Sequence, residues 1–298
     1  MSNIKNQLIK RGYIPLDKSW IIRMGVLDIL NDRNDIFEFL GARQEELSDD
    51  LQALLRALKS WKAGEQNIDV GESATLYRFL KFASWVLDEN KRFILHGTLR
   101  KRKICDDQGI IHYSLNDLLR LDRGTSQWAS AAVLLGNEEH IDRPPFKLKL
   151  THEAVGYWKE RRRNGKSWEP RYDETILRQA ISFLELLKEG KTSFIPQQPE
   201  DYCFARAFGL ITKEQGESLW PSLRGHESNR IEEMERIIET VNAGGMIESE
   251  DHRAIQAGTM LQKLMGRNIS VKYPQCVNKS WPRYWNFLND TSSILESL

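Results

Sequence analysis

An acid, an imidazole and a permanent cation occupy successive positions at Asp251, His252 and Arg253, directly before a stretch of small and apolar residues. At the start of a helix, such a triplet can present a guanidinium to a carboxylate or a phosphate. Free backbone N–H groups and the positive end of the helix dipole favour anions at that place. The simpler alternative is an aspartate N-cap followed by two exposed side chains. The triplet alone does not decide between an anion site and ordinary capping.

The same pattern, a polar cluster followed by an apolar body, recurs at several predicted helix starts. It is found at Lys18-Ser19, at Thr125-Ser126-Gln127 and from Glu227 to Arg230. Each cluster taken singly is typical of capping. Their order along the chain is therefore more informative than any one of them.

The spacing of apolar residues predicts helices separated by short strands, which is typical of an α/β chain. The polar, proline-containing stretch at residues 190–201 is the predicted domain junction. Strands are predicted at residues 92–97 and 268–273. Helices are predicted at residues 48–61, 71–87, 125–136, 173–190, 200–211, 227–245, 251–266 and 280–298.

The composition narrows the class of protein. The chain of 298 residues carries 43 Lys and Arg against 42 Asp and Glu, which argues against a general nucleic-acid binder. The basic stretch at residues 158–168 is interpreted as a solvated loop rather than an RNA or phosphate surface. The three cysteines fit neither a disulfide framework nor a zinc site. No apolar run approaches the roughly 18 residues of a membrane span, so a cytoplasmic protein without a membrane partner is expected.

The ordered clusters resemble the motifs of the 5-enolpyruvylshikimate-3-phosphate synthase (3-phosphoshikimate 1-carboxyvinyltransferase) family. The resemblance runs from about residue 14 to residue 290, in the family's order. Within it, Lys18, Ser19 and Arg23 match the family's opening Lys, Ser and Arg, and Thr75 and Arg78 match its next Thr and Arg. The motifs that carry it are IPLDKSWIIRMGVLDIL, SDDLQALLRAL, GESATLYRFL, HGTLRKRKI, TSQWASAAVLL, LRGHESNRIEEM, SEDHRAIQAG and CVNKSWPRYWNFL.

The resemblance implies a two-domain enolpyruvyl transferase fold, built from inverse α/β barrel repeats. The chain is much shorter than usual members, so the second domain is expected to be truncated. The expected first domain spans residues 15–190, and the second comprises residues 1–14 and 191–298. The chain also departs from the motifs: Glu72-Ser73-Ala74 replaces an Asn-Ala-Gly, His226 replaces a Lys, and Asn229 replaces an Asp.

The family reaction moves the enolpyruvyl group of phosphoenolpyruvate to a hydroxyl of shikimate-3-phosphate and releases phosphate. It needs cations that hold two anions, positioned acid and base groups, and exclusion of water. By resemblance, Lys18, Glu227 and His226 are the catalytic residues. The expected phosphoenolpyruvate-binding residues are Lys18, Arg102, Gln127, Arg230, Arg253 and Lys279. The expected shikimate-phosphate-binding residues are Ser19, Arg23, Thr125, Ser126 and Tyr172.

No cofactor and no metal are implied, and a monomer acting on small anionic substrates is expected. The acceptor is shikimate-3-phosphate or a related anionic alcohol. The family's catalytic Asp of the second domain corresponds to Glu200 or Asp201, and the motif does not choose between them. The competing hypothesis is a catalytically inactive, shortened relative that binds an anionic metabolite or a protein.

Overall fold

The computed structural model describes residues 2–122, 125–165, 168–225 and 229–297, and these residues are mostly helical. Short 3-10 turns fill several connections between helices, among them Gly97–Lys101 and Pro274–Lys279. In chain order the α-helices are α1 (Ser2–Lys10), α2 (Lys18–Leu30), α3 (Asp35–Gly41), α4 (Asp49–Lys62), α5 (Ala74–Val86), α6 (Leu115–Leu121), α7 (Gln127–Leu134), α8 (Phe146–Asn164), α9 (Glu174–Glu189), α10 (Tyr202–Ala207), α11 (Lys213–Leu219), α12 (Arg230–Asn242), α13 (His252–Leu264), α14 (Tyr284–Asn289) and α15 (Thr291–Glu296).

The strand content is lower than the sequence predicts. Two strands, β1 (Asn67–Asp69) and β2 (Arg92–Ile94), pair in parallel with Ile68 opposite Phe93. The strand predicted at residues 92–97 is thus confirmed over its first half. The one predicted at residues 268–273 contributes only an isolated bridge between Ile247 and Val271. The described residues therefore form a mostly helical chain with one small parallel sheet, and they show no barrel repeats.

Helix boundaries follow local chemistry. The helix predicted at residues 48–61 is confirmed as α4, with Asp49 in its first turn, where the helix dipole favours an acid. The helix predicted at residues 173–190 is confirmed as α9. The Asp173 side chain accepts from the backbone N–H of Ile176 at its start, and Gly190 ends it in the left-handed conformation. The predicted terminal helix is divided into α14 and α15.

The chain forms two compact units. The middle unit comprises residues 16–171, and the terminal unit comprises residues 1–15 and 172–298. The predicted junction at residues 190–201 lies inside the terminal unit. The reason is that Ile176 and Phe183 of α9 pack in the same apolar core as Phe204, Ile255 and Trp281. This core holds α9 to the helices that follow it.

Each unit contains helices that are buried on nearly all sides, and α2 and α13 are the longest of them among the described residues. In α2, every residue from Trp20 to Asp28 is buried, and in α13 every residue from His252 to Met260 is buried. A helix that is enclosed all round is a core element rather than an amphipathic surface helix. The charged residues at its start must then find partners inside the protein.

Three helices of the middle unit run in the same direction. The last residues of α2, α5 and α7, including Leu30, Val86 and Leu134, line one groove. The three C-terminal ends therefore meet at this groove, and the starts of α5 and α7 are joined by hydrogen bonds between side chains. No helix in the described ranges combines the length and the apolarity needed to cross a membrane.

Candidate functional site

The start of α2 holds Lys18 in an ion pair. The Asp17 side chain caps the helix by accepting from the backbone N–H of Trp20, at 3.0 Å. Lys18 Nζ lies 2.7 Å from Asp50 Oδ2 of α4, and the two side chains are 20% and 8% exposed. The ammonium is thus fixed in position and is still reached by solvent. A cation in this setting can bind an anionic ligand without a large ordering cost.

Gln127 joins the starts of α5 and α7. Its Oε1 accepts from Arg78 Nη1, and its Nε2 donates to Thr75 Oγ1 at 2.9 Å. Burial is the main cause that lowers the pKa of Arg78, and the nearby Arg102 cation acts in the same direction. The structure therefore brings together Gln127 and Arg102, both predicted as ligands, with Thr75 and Arg78.

Arg102 is placed by a short polar relay. Its Nη2 donates to Thr98 Oγ1 at 3.4 Å, and that hydroxyl donates to Glu72 Oε2 at 3.3 Å. Glu72 is one of the departures from the family motif. Here its carboxylate supports the 3-10 turn that carries Arg102.

Asp122 is a residue of this cluster that sequence reasoning missed. It is 5% exposed, and its carboxylate accepts from the backbone N–H groups of Trp128 and Ala129, at 2.7 and 3.3 Å. The hydroxyl of Thr125 donates to it at 3.2 Å. Burial is the dominant cause and raises its pKa to about 6, although the Arg78 cation opposes the shift. Asp122 thereby fixes the start of α7. A lone aspartate ahead of a helix gives no signal in the sequence beyond a capping preference.

Ser126 has an uncommon backbone conformation directly before α7. Its φ is +54°, in the left-handed region that residues other than glycine rarely adopt. The residue is 1% exposed, and its Oγ has no hydrogen-bond partner among the described residues. A buried hydroxyl without a partner is costly, so a group that binds here would restore the lost hydrogen bond.

Arg23 is engaged within the middle unit. Its Nε donates to Thr151 Oγ1 at 2.7 Å, its Nη1 to the Ser19 carbonyl at 2.7 Å, and its Nη2 to the Lys147 carbonyl at 3.1 Å. Burial lowers its pKa to about 10, which leaves it a cation at neutral pH. Arg23, which was expected to bind the shikimate phosphate, therefore ties α2 to α8 and also bonds to the backbone carbonyl of Ser19.

The contacts of Asp251 explain the role of the Asp251-His252-Arg253 triplet at the start of α13. Its Oδ2 accepts from Arg230 Nε at 2.7 Å, and both side chains are at most 5% exposed. Its Oδ1 accepts from the backbone N–H groups of Arg253 and Ala254, at 2.9 and 3.4 Å. Asp251 is therefore both the N-cap of α13 and the counter-ion of Arg230, the first residue of α12.

Arg253 continues this network toward α9. Its Nη1 donates to Gln179 Oε1 at 3.3 Å, and Gln179 Nε2 donates to Asp201 Oδ1 at 3.1 Å. Asp201 is fully buried and pairs with Arg178 at 2.9 Å. The Asp201 side chain thus joins the arginine network. The Glu200 backbone carbonyl accepts from Gln179 at 3.2 Å.

The remaining predicted residues are placed as follows. Lys279 ends a 3-10 turn directly before Ser280, whose Oγ accepts from Gln256 of α13 at 3.2 Å. Tyr172 packs against the core of the terminal unit, whereas Ser19, Arg23, Thr125 and Ser126 belong to the middle unit. The predicted catalytic residues His226 and Glu227 lie outside the described residues.

Cys203 lies near the charged network of the terminal unit. It is 1% exposed, and burial, followed by the negative charge of Asp251, raises the pKa of its thiol to about 12. A thiol that stays protonated at neutral pH is not a nucleophile. The chemistry of this region therefore rests on its arginines, carboxylates and amides.

No family model, curated protein or solved structure matches the chain.

Proposed function

We propose that the chain is an enolpyruvyl transferase. It moves the carboxyvinyl group of phosphoenolpyruvate to a hydroxyl of shikimate-3-phosphate or of a related anionic alcohol, and it releases phosphate. The observation that carries the proposal is the gathering of Gln127, Arg78 and Thr75 at the N-terminal ends of parallel helices. Lys18 begins α2, which runs in the same direction. The positive ends of the helix dipoles at these starts, together with these side chains, favour a small, multiply charged anion.

The same proposal includes a shortened form of the enolpyruvyl transferase fold. An enolpyruvyl transferase shortened within its repeats would lose strands and keep the enclosed helices whose N-termini carry the ligands. The enclosed helices α2 and α13 and the small sheet of this chain are consistent with that shortening. The location that fits this activity is the cytoplasm.

The reaction assigns a role to each group. The acceptor hydroxyl loses its proton as its oxygen forms a bond to the central carbon of phosphoenolpyruvate, and the methylene carbon takes a proton. The carbon–oxygen bond to phosphate then breaks, and the methyl group loses a proton, which restores the vinyl group. Lys18 and Gln127 hold the substrate anion, Arg102 adds charge beside Arg78, and Glu227 with His226 transfers protons. Glu227 and His226 enter by resemblance alone.

The test is phosphate release from phosphoenolpyruvate in the presence of shikimate-3-phosphate. Glu227→Gln and Gln127→Leu are the test variants. Glu239→Gln, at an exposed position of α12, and Gln52→Leu, at an exposed position of α4, are the matched controls. Release that requires both substrates, falls at least tenfold in the test variants and persists in the controls supports the proposal. Equal rates in all five proteins, or no release at all, would refute it.

A second function is binding of an anionic metabolite without transfer. Two observations favour it: all three donor nitrogens of Arg23 are used inside the middle unit, and Asp201 is neutralised by Arg178. Calorimetric titration with phosphoenolpyruvate and with shikimate-3-phosphate distinguishes the two functions. Binding of either compound without turnover supports the metabolite binder, and absence of binding excludes both functions.

A further inference from the structure

The groove at the C-terminal ends of α2, α5 and α7 has a volume of about 820 Å³ and is closed on one side by α8. Its floor is apolar and includes the buried side chains of Leu27, Val133 and Leu134. Val86 and Leu87, which are 44% and 46% exposed, also line it. Concave apolar sites of about 300–1,000 Å³ are the usual binding places of small organic molecules.

The polar part of the groove has a negative bias. The residues that follow the three helices, Asn31, Leu87 and Leu135, all line it, so three helix C-termini direct their partial negative charge toward it. The connection after α7 adds the carboxylates of Glu138 and Glu139.

The cationic side chains of the groove do not reverse this bias. Lys159 is the lysine among its lining residues, and its Nζ lies 3.7 Å from Glu138 Oε1. His140 lies 3.3 Å from the Asp142 carboxylate, and His152 is exposed on α8. Two carboxylates and three helix C-termini thus face one ammonium and two imidazoles.

We propose that this groove binds a small amphipathic amine, with an apolar body against Leu27, Val133 and Leu134 and an ammonium group beside Glu138. The apolar floor supplies affinity, and the helix C-termini with the carboxylates select a cation over an acid. The site uses none of the residues assigned to enolpyruvyl transfer, so it stands whether or not that function holds.

Three probes of equal chain length separate the charge from the apolar body: octylamine, octanol and octanoate. Each is titrated calorimetrically at pH 8 into the full chain. Octylamine is expected to bind at least tenfold more tightly than octanol, and octanoate more weakly than both. Equal affinities, tighter binding of octanoate, or no binding of octylamine would overturn the proposal.

Variants locate the binding. Leu87→Lys places a cation at an exposed position of the groove and is expected to weaken octylamine binding at least tenfold. Glu138→Gln should weaken it severalfold, whereas Glu153→Gln, at an exposed position of α8 that does not line the groove, should leave it unchanged. Octylamine affinity that is insensitive to both Leu87→Lys and Glu138→Gln would show that the amine binds elsewhere.

Discussion

Arg230 and Asp251 form a buried ion pair at 2.7 Å that joins the first residue of α12 to the N-cap of α13. Neither charge could be left alone at this depth, because an uncompensated buried charge costs several kcal/mol. The pair therefore sets the position of both helix starts, and with them that of Arg253.

Asp251→Ala is expected to lower the free energy of unfolding by about 3–5 kcal/mol, since it removes the counter-ion of Arg230 and the N-cap of α13. Urea unfolding followed by circular dichroism measures the change. Glu248→Ala breaks the exposed pair with Lys272 in the same unit and serves as the control, with an unfolding curve close to that of the unmodified chain. Similar curves for both variants would contradict the assigned role of the buried pair.

Asp122 makes the stability of the middle unit depend on pH. Its folded pKa of about 6 lies above the ordinary value of 3.8. Protonation is therefore favoured by folding, and the stability that it contributes is present at pH 4 and is lost as the pH rises through 6. Relative to Asp122→Asn, the unmodified chain should lose about 2 kcal/mol of unfolding free energy between pH 4 and pH 7. Urea titrations of both proteins at each pH measure this, and a constant difference between them would refute it.

Gln127→Leu should weaken phosphoenolpyruvate binding by roughly 10- to 100-fold, the worth of one hydrogen bond to a charged ligand. It also removes the acceptor of Arg78 and the donor to Thr75. Calorimetry measures the affinity, and Gln52→Leu is the matched control on α4. Loss of affinity in both variants would point to a general effect on the fold and not to the proposed site.

Gly97 has a φ of +47°, and a Cβ there would lie 1.6 Å from Glu72 Oε1. Gly97→Ala should therefore push Glu72 away from Thr98 and loosen the turn that carries Arg102, at a cost of about 1–3 kcal/mol. Gly64→Ala measures the cost of a left-handed backbone conformation alone, because Gly64 has a φ of +69° and open space around it.

The clash with Glu72 is separated from the backbone strain by the double variant Glu72→Ala/Gly97→Ala. It should recover the part of the loss that exceeds the Gly64→Ala effect. Equal losses of stability in Gly97→Ala and Gly64→Ala would show that the clash with the Glu72 carboxylate adds nothing to the cost.

Several helices could be predicted from the sequence because their signals are local. The longest one, α8, was not predicted, and its last residues, 158–164, had been interpreted as part of a solvated loop. Apolar spacing and first-turn acids lie within a few residues of each other, as in α4 and α9. The starts of α2 and α13 were also predicted as charged, and the structure gives partners to Lys18 and Arg253. The number of strands could not be predicted in this way, since strand pairing joins residues far apart in the chain.

Long-range contacts also explain what was missed in the site. Arg23 reaches Thr151, which is 128 positions away, so nothing near Arg23 signals its internal role. Asp122 acts through backbone N–H groups, which no sequence motif displays. The contacts of Asp201 with Arg178 and Gln179 likewise come from another helix and have no signal near Asp201 in the sequence.

The enclosure of α2 and α13 has a consequence for evolutionary comparison. A helix without a solvent face offers almost no position at which substitutions are neutral, because each side chain fills space in a close-packed interior. Selection for folding alone is therefore expected to constrain the buried segments that follow Lys18 and that contain Arg253. A chain of this fold without catalytic activity would need the same buried residues, so conservation of these helices among homologues would report the fold and would not by itself be evidence of activity.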